Sequence, residues 1–442
     1  MKLLERLALD TPARRAWALY DWANSAMYVT IVTALFPVYF SSVAASHLPR
    51  PRATAIFGLV TTIGLVVVAL LAPVLGALSD TRGSRKRMLA AFLIPGAAAV
   101  AALAQVREGD LLLASLLFIA ANIGVNGSFV FYDALLPHVA GQRVDRLSTT
   151  GYALGYLGGG LFLLLVLLPQ LAPGAFGLLG PDGTLSGETR GMLTRAAFFA
   201  TALWWVGFSI PLFRKVPEPP AVSTALPPYR PTGPSPFSRL AEIVRRLRRY
   251  PQALWMLVAF LIYNDGIVTI IRMATIYGEE IGIDRSGMIA AILLVQFVGV
   301  PFAFLYGALA SRVGTKRAIL AGVAAYAGIT LLGWRMDSVR DFFALAILVG
   351  MVQGGVQALS RSLFASMIPA VRSGEFFGLF AVFEKFAGII GPAVFTAVSF
   401  AEGSSRRAIL ALAAFFVIGF VLLLRVDVEA GRKAALAPAT GD

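Results

Sequence analysis

Long apolar runs recur along this chain, and most are close to the roughly 20 residues that cross a bilayer as a helix. Twelve spans are predicted, at about 15–42, 55–79, 87–106, 110–137, 148–169, 191–213, 251–281, 285–310, 317–335, 340–369, 375–400 and 404–425. Between the sixth and seventh the pattern breaks. "VPEPPAVSTALPPYRPTGPSP" holds too much proline to span and reads as an extended linker. "FSRLAEIVRRLRRY" then puts Phe237, Leu240, Val244 and Leu247 on one helical face, with Arg245, Arg246, Arg248 and Arg249 around the others. A helix lying on the membrane surface against anionic lipid is expected there, with a regulatory or partner-docking helix as the alternative. The predicted organisation is a six-span bundle over 1–213, a linker over 214–250, and a second six-span bundle with a short tail over 251–442.

Composition agrees with an all-α membrane protein: 58% of residues are hydrophobic, 14% are charged, and the mean hydropathy is +0.77. The chain has no cysteine, and its two histidines, His47 and His138, lie far apart, so no metal site and no cofactor are expected. The opening "MKLLERLALDTPARRAW" has no continuous apolar core, and no cleavable signal peptide is expected. A net charge of +14 could point to nucleic acid, but its distribution points elsewhere. Of 38 Lys and Arg, 25 fall on the side of the two termini and ten on the other. That excess predicts cytoplasmic termini, in a cell (inner) membrane, with no nucleic-acid partner.

The two halves repeat. "GALSDTRGSRKR" from Gly76 follows the second span and "GALASRVGTKR" from Gly307 follows the eighth, at an offset of 231 residues. Pro137 and Pro369 end the fourth and tenth spans at an offset of 232. The first copy, with Gly76, Asp80, Gly83, Arg85 and Arg87, resembles the loop motif of the major facilitator superfamily. "RRAWALYDWANSAMYVTIVTALFPVYF" and "GGVQALSRSLFASMIPAVRSGEFFGLF" resemble, within it, the vacuole amino-acid effluxer-like, or "unknown major facilitator", family. The resemblance implies twelve helices in two pseudo-symmetric bundles, rocking to give alternating access. It also implies that the loop around Asp80 latches the bundles in the outward-facing state. The second copy carries Ser311 in place of Asp80, so a weaker latch, or none, is expected there.

Charged residues in mid-membrane are costly, roughly 2.5–3.5 kcal/mol each even on the mildest scale, and should face protein or water. Four spans carry polar stripes: Asp21, Asn24, Ser25 and Tyr28 in the first; Asn122, Asn126 and Asp133 in the fourth; Asp265, Thr269 and Arg272 in the seventh; Gln353, Gln357, Ser360 and Arg361 in the tenth. Glu384 and Lys385 stand side by side in the eleventh. In the superfamily resembled, spans one, four, seven and ten line the central cavity. Depth along the helices predicts that Asp21 or Asp133 closes against Arg361, and that Asp265 and Arg272 bind the charged ends of a solute, or a proton. The chain shows no Walker A sequence, nucleophile elbow or metal-ligand cluster, and no enzyme activity is expected. The function expected is a proton-coupled secondary transporter for a small zwitterionic, amino-acid-like solute, acting as a monomer, with efflux favoured by the resemblance. Alternatives are a carrier for drugs or other lipophilic solutes, and a non-transporting membrane sensor.

Overall fold

The computed structural model describes residues 2–221, 236–280, 283, 285–336, 338–387, 390–402 and 405–437. They are almost entirely helical, as a bilayer demands: lipid offers no partner for an unpaired N–H or C=O, and a helix pairs its own. Eleven helical stretches among the described residues are long and apolar enough to cross a membrane. The longest, Leu111–Leu171 with 61 residues, is two spans joined by a tight turn at Gly141–Arg143, so the spans number twelve.

The first half contains Pro12–Ala44, Arg50–Arg82, Arg85–Gln105, Leu111–Ala140, Val144–Leu171 and Gly187–Lys215. The second contains Pro251–Glu280, Arg285–Val313, Thr315–Trp334, Val339–Ser366, an eleventh span made of Ser373–Phe386 and Ile390–Glu402, and a twelfth made of Ser405–Ala411 and Ala413–Leu424. Several starts are written in the sequence. Thr11 accepts from the Arg14 N–H with proline at the next position, and Ser186 and Ser338 cap the sixth and tenth spans. Two short helices, Lys2–Arg6 and Val428–Leu436, stand in segments expected only as ends and tail.

Each half packs as a six-helix bundle, and the two bundles meet along two seams. The second span lies against the eleventh, and the fifth against the eighth. The repeated glycines make both approaches possible. A Cβ on Gly76 would sit 2.0 Å from the Gly374 carbonyl oxygen, and one on Gly307 would sit 2.3 Å from Thr149 Oγ1. The next glycine of each motif ends its helix with positive φ, 55° at Gly83 and 91° at Gly314.

The linker helix, Pro236–Leu247, departs from expectation. Ile243 and Leu247 are fully buried where the helix rests on the second and eleventh spans. At Ile243 and Leu247 the apolar face is therefore turned to protein, not to lipid. Ile243, one turn before Leu247, adds to the apolar stripe drawn from sequence, and the two side chains together find cover on the neighbouring spans. Phe237 and Leu240 have side chains outside the described residues. Arg246 faces inward and pairs with Glu242 at 2.7 Å and Glu375, on the eleventh span, at 3.6 Å. The start of the linker joins the same surface, where the Glu218 carboxylate accepts from the Lys86 N–H.

Replacing Ile243 and Leu247 with serine is expected to free this helix, since each buried aliphatic side chain contributes about 2 kcal/mol or more. Hydrogen–deuterium exchange over 236–247 should then rise to the rate of an unstructured segment while the spans stay protected. Unchanged protection would show that the helix is held by something other than these two side chains.

Candidate functional site

The apolar run of the tenth span is broken by Arg361, which is buried at the boundary between the bundles. Its guanidinium is shared by two acids of the opposite bundle. Nη1 donates to Asp133 Oδ1 at 2.9 Å, and Nη2 lies 3.3 Å from Asp21 Oδ2. Nε donates to Ser148 Oγ at 3.0 Å, and Nη2 also donates to the Ser148 carbonyl at 3.1 Å. Ser148 Oγ in turn donates to the Ala358 carbonyl across the same boundary. Aromatic rings complete the enclosure: the guanidinium carbon lies 4.7 Å from the ring centre of Tyr152, 5.1 Å from Trp17 and 5.6 Å from Tyr132. Tyr132 donates to Asp21 Oδ2 at 2.8 Å, and its ring is stacked on Trp17 at 4.3 Å. Sequence offered Asp21 or Asp133 as the partner of Arg361; both engage it.

The remaining polar stripe residues divide. Tyr28 is exposed and Ser25 half-buried, but Asn24 is completely buried, and neither its amide nitrogen nor its oxygen has a hydrogen-bond partner among the described residues. Asn24 therefore does not line an aqueous cavity in this state. Three residues on from Asp21 it is rotated about 60° back around the helix, whereas Ser25 and Tyr28 stay within about 40° of Asp21. In the fourth span Asn126 Nδ2 donates to both the side-chain oxygen and the carbonyl of Asn122, and both residues are buried. Gln353 and Gln357 are half-exposed, and Gln357 Nε2 reaches Asn264 Oδ1 at 3.5 Å. Asp265 Oδ2 accepts from the Gly391 N–H at 3.0 Å, at the start of the outer piece of the eleventh span. The Arg272 side chain lies outside the described residues. Glu384 and Lys385 pair with each other at 3.4 Å, and Glu384 stands close enough to Asp133 and Tyr152 to act on them electrostatically.

Two more sets of contacts tie the bundles on the side of the termini. Asp80, at the end of the second span, accepts from the N–H groups of Gly374 (2.9 Å) and Glu375 (2.8 Å), the first turn of the eleventh span. An anion at a helix start is favoured by the unpaired N–H groups and the helix dipole. Arg85 holds it at 2.6 Å and also donates to the Val371 carbonyl, while Arg87 is exposed. Along the other seam the latch expected to be weak or missing is instead supplied from the fifth span, across the seam from Ser311. Asp145, at the start of the fifth span, accepts from Ser362 (2.5 Å) and Thr315 (2.6 Å) of the second bundle. Ser311, in the place of Asp80, accepts from Arg146 Nη2 at 3.3 Å. Asp145, Ser148, Trp17, Tyr132 and Tyr152 were not singled out from sequence.

Residues 50–145 and 138–436 match the family described as "Vacuole effluxer Atg22 like". The chain belongs to that family. It is 35% identical over 428 residues to the uncharacterized MFS-type transporter YxiO of Bacillus subtilis (strain 168), covering 95% of this chain and 96% of that protein. It is 28% identical over 320 residues to autophagy-related protein 22 of Cryptococcus neoformans var. neoformans serotype D (strain JEC21), covering 66% of this chain and 52% of that one. The chain thus spans about half the length of that fungal relative. Solved structures show the same fold. The human organic anion transporter MFSD10 matches with a TM-score of 0.65 at 17% identity over 93% of this chain and 99% of that one. FucP in the outward conformation matches with 0.67 at 14% identity over 94% and 98%. The Atg22-like chain is therefore a multi-pass membrane transporter with the major facilitator fold, and not an enzyme.

Two tests of this Atg22-like protein follow from the geometry. Arg361→Ala leaves two buried carboxylates unpaired and should cost about 3–5 kcal/mol, seen as a large fall in melting temperature, with Arg361→Lys intermediate. Gly76→Ala places a methyl group 2.0 Å from the Gly374 oxygen. In this naturally cysteine-free chain, maleimide labelling of Ala358→Cys from the terminus side should then rise several-fold; unaltered labelling would mean that the seam absorbs the methyl without opening.

Proposed function

We propose that this chain exports a small zwitterionic solute in exchange for protons, with both termini in the cytoplasm, and that the Arg361 cluster is its cytoplasmic gate. The observation that carries this reading is the sharing of one buried guanidinium by Asp21 and Asp133 across the bundle boundary. Opening that side separates the charges by moving one bundle away from the other. Each then needs water or a new partner, since an unpaired buried ion is costly. A zwitterion supplies both partners at once: its carboxylate suits Arg361, and its ammonium suits Asp21 or Asp133. Return to the closed state expels the solute from these groups by re-forming the internal pair.

Charge balance supports proton coupling. Asp21, Asp133 and Glu384 face Arg361 and Lys385 within one neighbourhood, three acids against two bases. One proton on that set makes it neutral. Asp133 and Glu384 are its more accessible acids, with side chains 12% and 35% exposed. Protonation of Asp133 removes one of the two charges that hold Arg361. Gln353, Gln357 and Asn264 provide neutral hydrogen-bonding groups further in, and Asp265 holds the outer piece of the eleventh span. The excess of Lys and Arg on the terminus side supports the orientation, and the efflux direction is carried over from the family description.

Proteoliposomes under an imposed pH gradient test this reading, with a mixture of labelled amino acids in one arm and lipophilic cations in the other. Gradient-driven amino-acid flux is expected, with none of the cations. Asp133→Asn should abolish accumulation against a gradient while keeping solute exchange, and Arg361→Gln should abolish both. Wild-type flux in Arg361→Gln would remove the gate from the mechanism.

A further inference from the structure

Beside the Asp145 seam the terminus-side face holds a cavity of about 490 Å3, a volume ordinary for a small-molecule site. It is lined by Arg6 of the first short helix, Arg143 and Arg146 at the start of the fifth span, and Ser311 of the second bundle, with Glu5 and Asp145 as its acids. Three arginines face two acids, so the lining keeps a net positive charge. Both Asp145 oxygens are taken by the hydroxyls of Ser362 and Thr315. The nearby Asp10 is taken by Arg14 at 2.8 Å, a hydrogen bond that holds its carboxyl below the usual carboxylate range. Arg143 Nη1 is engaged by the Glu5 carbonyl and, at 3.4 Å, by Asp10; Arg146 uses Nη1 on the Arg6 carbonyl and Nη2 on Ser311. Nε and Nη2 of Arg143, Nε of Arg146 and the whole Arg6 guanidinium have no bond among the described residues. Each guanidinium offers five donors, so most of the donor capacity here is unspent.

We propose that this cavity binds a phosphate group and that its occupancy favours the state closed on the terminus side. Converging guanidinium forks match phosphate oxygens in geometry as well as in charge. Two sources of that chemistry reach this place, a soluble phosphate and the headgroup of an anionic phospholipid. The first helix leans to lipid: Leu3 and Leu4, on the helix that carries Arg6, are 67% and 38% exposed and point nowhere into the protein core. Six residues beyond Arg6 the first span begins, so that helix lies at the membrane boundary, where an apolar pair can enter the acyl layer while the arginine stays at headgroup level. The link to conformation is Ser311. It belongs to the second bundle, the arginines belong to the first, and the Arg146–Ser311 bond closes the cavity wall between them. A ligand that needs the whole wall binds the closed state better and shifts the population toward it.

The full chain, purified and reconstituted in phosphatidylcholine with or without phosphatidylglycerol, tests the proposal, with inorganic phosphate added to detergent-solubilised protein as the second arm. Phosphatidylglycerol should raise the melting temperature and slow labelling of Ala358→Cys from the terminus side. The combined Arg6→Gln, Arg143→Gln and Arg146→Gln variant should bind the lipid on the order of a hundredfold more weakly in native mass spectrometry, and Arg6→Gln alone about fivefold. Arg6→Gln removes no described contact and so guards against misfolding of the combined variant. Arg190→Gln, with the same charge change on the opposite face, should behave as wild type. An equal response to inorganic phosphate, lost in the same variants, would assign the site to a soluble phosphate. If wild type and Arg6→Gln respond alike to both probes, or Arg190→Gln falls as far as Arg6→Gln, the proposal is wrong.

Discussion

One buried guanidinium is the costliest contact between the two bundles of this transporter. Arg361 leaves water to lie between Asp21 and Asp133, and the loss of hydration costs several kcal/mol per ion before any attraction is counted. The position is tolerable only because every direction around it is filled: two carboxylates, a serine hydroxyl and carbonyl, and three aromatic faces. Such an arrangement has no comfortable halfway state. With the bundles slightly parted, the charges would be out of reach of each other and not yet in water. A well-packed apolar contact would hold the bundles at lower cost. An ionic contact instead gives two alternatives, fully joined or fully wetted, which suits the gate proposed for this cluster.

The two seams beside it are related by the repeat but solved with different chemistry. On one, Asp80 places a charge at the start of the eleventh span, with Arg85 as its counter-ion. On the other, Asp145 reaches from the start of the fifth span to two neutral hydroxyls. A charge facing a helix start and a guanidinium is the stronger bond, because both ends of it are polarised toward the acid. The accessory elements follow the same asymmetry. The linker helix rests on the Asp80 seam, its Arg246 turned to Glu375, whereas the first short helix and its arginines border the Asp145 seam.

How far this was legible from sequence depends on what kind of contrast each residue makes with its neighbours. An acid or arginine inside twenty apolar residues is conspicuous, so Asp21, Asp133 and Arg361 could be found, and depth along the helix brought them to one layer. Asp145 and Ser148 sit at the start of a span, where polar residues are ordinary, and nothing in their surroundings sets them apart. Trp17, Tyr132 and Tyr152 count as apolar in any periodicity, which hides their role as cation-facing rings. Asn24 shows the limit of the i, i+3, i+4 rule: a 60° turn is enough to carry a side chain from the bundle boundary into the bundle interior. The linker helix was legible as amphipathic, but amphipathicity says only that one face wants cover, and protein supplied it where lipid was expected.

The break in the eleventh span connects these parts. Its inner piece, Ser373–Phe386, receives Asp80 from the first bundle at its start; its outer piece, Ile390–Glu402, receives Asp265 from the seventh span, in its own bundle. An unbroken helix bonded in this way would carry any movement at the Asp80 latch rigidly to the outer face. Ala387, in extended conformation after Phe386, ends that rigidity within the membrane. In the gating proposed above, the inner piece would then follow the latch while the outer piece stays with its bundle. Glu384 and Lys385 occupy the last turn of the inner piece, within electrostatic reach of Asp133. Movement at the latch would therefore change the field at the acid that shares Arg361, without any direct contact between the two sites.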